Sequence, residues 1–128
     1  KPGQVSDEMV ISLDLMPTML DLAVAKTPKG HRLDGVSLRP VLLEGKSLGQ
    51  RQFFWKGQGV RDGQWKYVAS PKGGGLFNLK NDLAESTNLA KRHPDRAKRM
   101  AAALEAWRND VTASATPQPG YVAAKAGK

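Results

Sequence analysis

In the stretch VISLDLMPTMLDLAVAK, apolar residues recur so densely that Asp14, Thr18 and Asp21 are the polar positions inside it. These three are spaced four and three residues apart, which places them in one narrow stripe of a helix. Leu15, Met16, Met19, Leu20, Leu22 and Ala23 cover the rest of its circumference. The spacing predicts a helix from Ser12 to Ala25, finished by Lys26, with Ser12 as N-cap and Asp14 at the positive dipole end. Pro17 fits only if the α-helix proper begins near it, after a tighter opening turn. A helix this apolar wants walls on two sides; the rest of the chain supplies one, and the second has to come from a segment that is missing here.

Further on, the period changes. TPKGHRLDGVSLRPVLLEGKSLGQR is rich in Gly, Pro and charge and reads as a structured connector, with one helical turn at RPVLLEG where Pro40 sits early and Gly45 closes it. QFFWK is strand-like, and GVRDGQWKYVAS predicts a hairpin turning at Asp62-Gly63. Alternation puts Trp65 and Tyr67 on one face of that strand and Lys66 with Val68 on the other. SPKGGG is a loop, and GLFNLKNDLAESTNLAKRHP reads as a last short strand followed by a polar turn. In residues 94–113, Pro94 opens a helix whose apolar positions Ala97, Met100, Ala101, Leu104, Trp107 and Val111 share one side. That side is expected to cover Trp65 and Tyr67 on the sheet, with Lys66 pointing outward and Arg61 pairing with local carboxylates. The tail SATPQPGYVAAKAGK has no periodicity and is expected to be disordered.

Composition narrows the chemistry. At 128 residues the chain is long enough for one core and too short for two. Its formal charge of +8 favours anionic partners. The absence of cysteine excludes disulfides, thiolate metal sites and any cysteine-derived nucleophile within it. No apolar run is long enough to span a membrane, and an opening at Lys1-Pro2-Gly3 rather than Met is expected of a piece of a longer chain. His31 and His93 stand far apart, and no Ser-His-Asp or metal-ligand spacing stands out. Asp14 and Asp21 would lie roughly 10 Å apart along a helix, too far to chelate one Ca²⁺, so they read as a solvated or interdomain stripe. The run KRHPDRAKR carries five Lys and Arg against one Asp and reads either as a polyanion patch or as a solvated helix entrance.

In order along the chain, SLDLMPTMLDLAV, LDGVSLRPVLLEG, FFW, VRDGQWKYV, LFNLKNDLAESTNLA and a final helix containing Trp resemble the C-terminal portion of the arylsulfatase-type sulfatases. The resemblance runs from about Lys1 to Val111, and KPGQVSDE resembles the segment that follows the family's last catalytic block. It implies an α+β unit: a short antiparallel sheet of about four strands packed by a long C-terminal helix, plus an N-terminal helix docked on a missing α/β catalytic domain. The expected division is residues 1–50 as interface helix and connector, 51–113 as the subdomain of sheet and helix, and 114–128 as the tail.

Members of this family hydrolyse sulfate esters, or sulfamates in some branches, with a formylglycine, a Ca²⁺ and assisting Lys, His and Arg. None of these groups maps onto this sequence, so the resemblance implies no catalytic residue and no metal ligand here, with the Ca²⁺ held in the missing catalytic domain. The implied partners are that catalytic domain and an anionic sulfated substrate, and the implied location is periplasmic or extracellular. Within the sulfatase reading, Lys56 in the glycine-flanked loop WKGQG suits a substrate-binding rim best, with His31 in KGHRLDG second; two solvated loop residues are the other reading. An independent, non-catalytic polyanion-binding module is the alternative function. Nucleic-acid binding has charge alone behind it, without a motif or a docked basic helix.

Overall fold

The computed structural model describes residues 3–27, 29–71 and 73–114. Its elements are a 3₁₀ turn at Ser12–Asp14, α1 at Leu15–Leu22, α2 at Arg39–Glu44, the strands β1 Gln52–Trp55, β2 Gly59–Asp62, β3 Trp65–Val68 and β4 Gly75–Asn78, and α3 at Pro94–Ser114. The four strands form one antiparallel sheet in the order β1-β2-β3-β4. This is the α+β arrangement expected from the sequence. The tail beyond Ser114 lies outside the described residues.

Register sets which residues meet α3. Phe54, Val60, Tyr67 and Leu76 stand side by side across the four strands and therefore share one face. Val60 and Leu76 from that face join Met100 and Leu104 of α3 in the buried core, flanked by Phe54, Trp65, Tyr67, Ala97 and Trp107. Trp65 and Tyr67 are thus on the covered side, as alternation predicts. Trp107, however, stacks on Phe54, with ring centroids 5.4 Å apart and planes 5° from parallel. Trp65 instead meets His93 edge-on at 5.0 Å and lies under Arg96.

The β2–β3 turn is shifted by one residue from the expected position. Asp62 pairs with Trp65, so the loop is Gly63-Gln64. The positive φ of 57° falls on Gly63, where no Cβ opposes it, while Asp62 stays extended and accepts hydrogen bonds from Gln50 (2.9 Å) and its cross-strand neighbour Gln52 (3.1 Å). Among the described residues Arg61 pairs with no carboxylate; its Nε donates to the Gly63 carbonyl at 3.0 Å. On the outer face Lys66 pairs with Glu85 and lies over the Trp55 ring at 5.4 Å. Trp55 lies flat across its pair partner Gly59, where a Cβ would come within 2.6 Å of the indole.

At the N-terminal end the opening turn before Pro17 is present, but the cap is Ile11 rather than Ser12, with an extended backbone whose N–H is taken by Asp14 Oδ2 at 3.0 Å. α1 also ends earlier than expected. Val24 adopts φ 53°, and the Val24 and Ala25 N–H groups turn back to the Asp21 and Leu20 carbonyls, closing the helix after Leu22. α2 forms as expected, with Pro40 in its first turn and Gly45 left-handed behind it.

Candidate functional site

The polar stripe of the first helix is buried at Asp14 and Thr18 and stays exposed at Asp21. It is the seam by which the helix holds the connector. Asp14 is 0% exposed, and its Oδ1 accepts the Val36 N–H at 2.9 Å. Thr18 Oγ1 accepts the Leu38 N–H at 2.9 Å and donates to the Asp14 carbonyl at 2.6 Å. The Ser37 hydroxyl donates to Asp21 Oδ2 at 2.5 Å. Close approach is enforced at Gly35, where a Cβ would sit 2.1 Å from the Leu13 carbonyl oxygen.

Arg51, just ahead of β1, completes the seam. Its two terminal nitrogens donate to Asp14 at 2.9 and 2.7 Å in a bidentate pair, and Nη1 also reaches the Met9 carbonyl at 3.0 Å. The guanidinium lies 4.7 Å from the Phe53 ring centroid. Burial is the largest single influence on the Asp14 carboxyl and pushes its pKa up. The hydrogen bonds from Arg51, Val36 and Ile11, with the Arg51 charge, outweigh it and bring the pKa from 3.8 to about 2. No spacing argument connects Asp14 to Arg51. The signal was chemical: a carboxylate in a helix this apolar needs a partner.

With its polar stripe turned inward, α1 shows its apolar residues to the outside. Leu15 is 52% exposed, Met16 57%, Met19 62% and Leu22 50%, and Leu13 beside them is equally bare. This reverses the usual orientation of a surface helix.

Lys56 and His31 are both exposed, and neither has a hydrogen-bond or ion-pair partner among the described residues. No described contact joins one to the other. Lys56 takes φ 51° in the three-residue link between β1 and β2, followed by Gly57 at φ 61°. The link is fastened: Arg108 of α3 donates through Nε to the Gly57 carbonyl at 2.5 Å, and Gln58 N–H returns to Trp55 at 3.1 Å. The long side chain of Lys56 is therefore free on a fixed base. Near His31, a cleft of about 640 Å³ opens between the connector residues Arg32 and Asp34 and the aromatic group Phe53, Phe54 and Trp107, with Asp110 at its edge. No sequence pattern singles out Arg32 and Asp34, since the cleft exists only once the connector folds back along β1.

The carboxylates of Asp14 and Asp82 are already engaged. Both Asp14 oxygens are taken by Arg51 and backbone N–H groups. The Asp82 oxygens accept from Ser86 and Thr87, whose N–H groups lower its pKa. Among the described residues no three His, Cys, Asp or Glu gather closely enough to share an ion. Among the described residues, too, no helix is long and apolar enough to cross a membrane.

Comparison with known proteins agrees on one relationship. No family model matches the chain. An uncharacterized sulfatase of Schizosaccharomyces pombe is 35% identical over 113 residues, a match covering 74% of this chain and 20% of that protein. Arylsulfatase K of Canis lupus familiaris is 32% identical over 115 residues, covering 74% of this chain and 21% of its own length. Among solved structures, Ps i-CgsB in complex with k-i-k-neocarrahexaose superposes with a TM-score of 0.68 at 26% identity, over 92% of this chain and 27% of that one. The chain belongs to the arylsulfatase-type sulfatases, a family of sulfate ester hydrolases, and corresponds to their C-terminal region. It spans about a fifth of the length of the curated relatives it matches.

Proposed function

We propose that this chain is the non-catalytic C-terminal part of an enzyme that hydrolyses sulfate esters or sulfamates, and that it completes that enzyme's fold and shapes its substrate cleft. The observation that carries the proposal is the reversed helix. Asp14 and Thr18 are buried against the chain's own connector, while Leu15, Met16, Met19 and Leu22 face outward. Leaving such an arc in water forgoes about 1.5–3 kcal/mol for each large side chain that burial would otherwise stabilise, so a second wall is called for. In this reading residues 1–50 form the interface with an α/β catalytic domain, residues 51–113 are the subdomain beside the cleft, and Ca²⁺ and nucleophile belong to the catalytic domain. An independent polyanion-binding module accounts for the charge but gives the apolar arc nothing to do.

Lys56 is placed at the substrate rim because its ammonium group extends unpaired from a link that Arg108 holds in position. His31 takes the secondary place on the connector. The substrate is an anionic sulfated molecule, and the parent is exported to the periplasm or the extracellular space, as its family resemblance suggests. Steady-state assays test this reading. The parent hydrolyses a small aryl sulfate, whereas the 128-residue chain alone does not. In the parent, Lys56→Ala raises KM for an anionic saccharide sulfate more than for the aryl sulfate, because only the larger substrate reaches the rim. Hydrolysis by the isolated chain contradicts the non-catalytic assignment, and equal KM effects on both substrates remove Lys56 from the rim.

A further inference from the structure

The entrance to α3 gathers positive charge that forms no ion pair among the described residues. Residues 91–99 hold Lys91, Arg92, Arg96, Lys98 and Arg99 against the single carboxylate Asp95. None of the five takes part in the ion pairs formed among the described residues, which join Arg39 and Lys46 to Glu44, Arg51 to Asp14, Lys66 to Glu85 and Arg108 to Glu105. Arg96 and Arg99 stand three residues apart on one side of α3, and Arg92 in the lead-in borders the same hollow. With His93 and Asp95 they line a shallow hollow of about 250 Å³. Arg96 is held in place by Trp65, whose ring centroid lies 4.6 Å from its guanidinium carbon, and His93 meets the same ring. The result is a row of guanidinium groups of which the middle one is anchored and the outer two are exposed.

We propose that this row is a binding site for a sulfated polysaccharide that holds the polymer while the parent enzyme acts on it. The proposal rests on the reading of the parent as a sulfatase of anionic substrates. Guanidinium groups match the planar face of a tetrahedral oxyanion ester with paired N–H donors, and a linear row of them suits a chain that repeats its charges. A single-stranded nucleic acid is the poorer fit. Its affinity draws on aromatic faces open to bases, and the one aromatic ring here, Trp65, is already occupied by Arg96 and His93 and packed on the core.

The test uses the parent enzyme carrying Arg92→Glu and Arg99→Glu, two exposed positions whose change leaves the Arg96 anchor in place. Lys29→Glu with Lys80→Glu serves as a control of equal charge change elsewhere on the surface. Binding to heparin and to single-stranded DNA of matched charge is measured across a salt series, alongside hydrolysis of a small aryl sulfate. The expected result is a loss of heparin affinity of about tenfold or more in the Arg variant, with a flatter salt dependence and unchanged aryl sulfate turnover, and a much smaller loss in the control. Equal losses in both variants overturn the site, as does wild-type binding to DNA as tight as to heparin. Failure of the wild-type parent to cleave any sulfate ester would instead strike at the sulfatase reading itself.

Discussion

A carboxylate with no exposed surface has to carry its counter-charge and its hydrogen bonds into the interior with it, and Asp14 does this through Arg51. Its folded pKa of about 2 lies below the value of 3.8 for a free aspartate. The stabilisation from ionised Asp14 is therefore complete above about pH 4 and is lost as pH falls through about 2, an effect of about 2 kcal/mol. Urea midpoints measured between pH 5 and pH 2 should show this loss in the wild type and a shallower fall in Asp14→Asn, which begins less stable because Arg51 is left without its counter-charge. Parallel curves for the two proteins would contradict the pairing. The residue scale is also where sequence was least informative. A polar stripe on an apolar helix looks the same whether it faces water or a connector's N–H groups, and Arg51 lies 37 positions from Asp14. Folding of the connector, not local pattern, decides between the two.

Elements were far more legible. The helical period of residues 94–113 and the alternation in WKYV were enough to predict α3 and its covered sheet face, because apolar burial leaves a periodic trace, while QFFWK read as a strand from its aromatic content. The details settled by register were not. Trp107 meets Phe54 rather than Trp65, and the hairpin turns at Gly63-Gln64 rather than at Asp62-Gly63, since one residue of strand pairing decides which side chains stand opposite. Leu104, 1% exposed, is the pivot of this packing. Leu104→Ala should cost about 2–5 kcal/mol, set by how far the cavity collapses. Leu83→Ala, at a position 84% exposed, should stay within about 0.5 kcal/mol of the parent sequence. Thermal or urea unfolding of both variants checks this, and a Leu104→Ala protein as stable as the Leu83→Ala protein would remove α3 from the centre of the core.

For the whole molecule, the excess apolar arc was visible in sequence as a helix with too few polar positions, and the structure shows which way that arc points. The stripe is used internally, so the arc is left for something else to cover. Lys56 and His31 belong to this scale too. Their exposure was foreseeable from the loops that carry them, but a rim exists only relative to a cleft built by two parts of a protein, and no pattern within one part specifies it. The central claim is that the catalytic domain covers α1. Methionine oxidation measures it directly, because the thioether of an exposed Met reacts and that of a buried one is shielded. In the parent enzyme exposed briefly to hydrogen peroxide, peptide mass spectrometry reports Met16 and Met19 against Met100, which is 3% exposed and serves as the buried standard. If the catalytic domain covers the helix, Met16 and Met19 oxidise as slowly as Met100 in the folded parent and rapidly once it is unfolded in urea. Rapid oxidation of Met16 and Met19 in the folded parent, with Met100 still protected, would mean that the face is open to water and that the proposed docking is wrong.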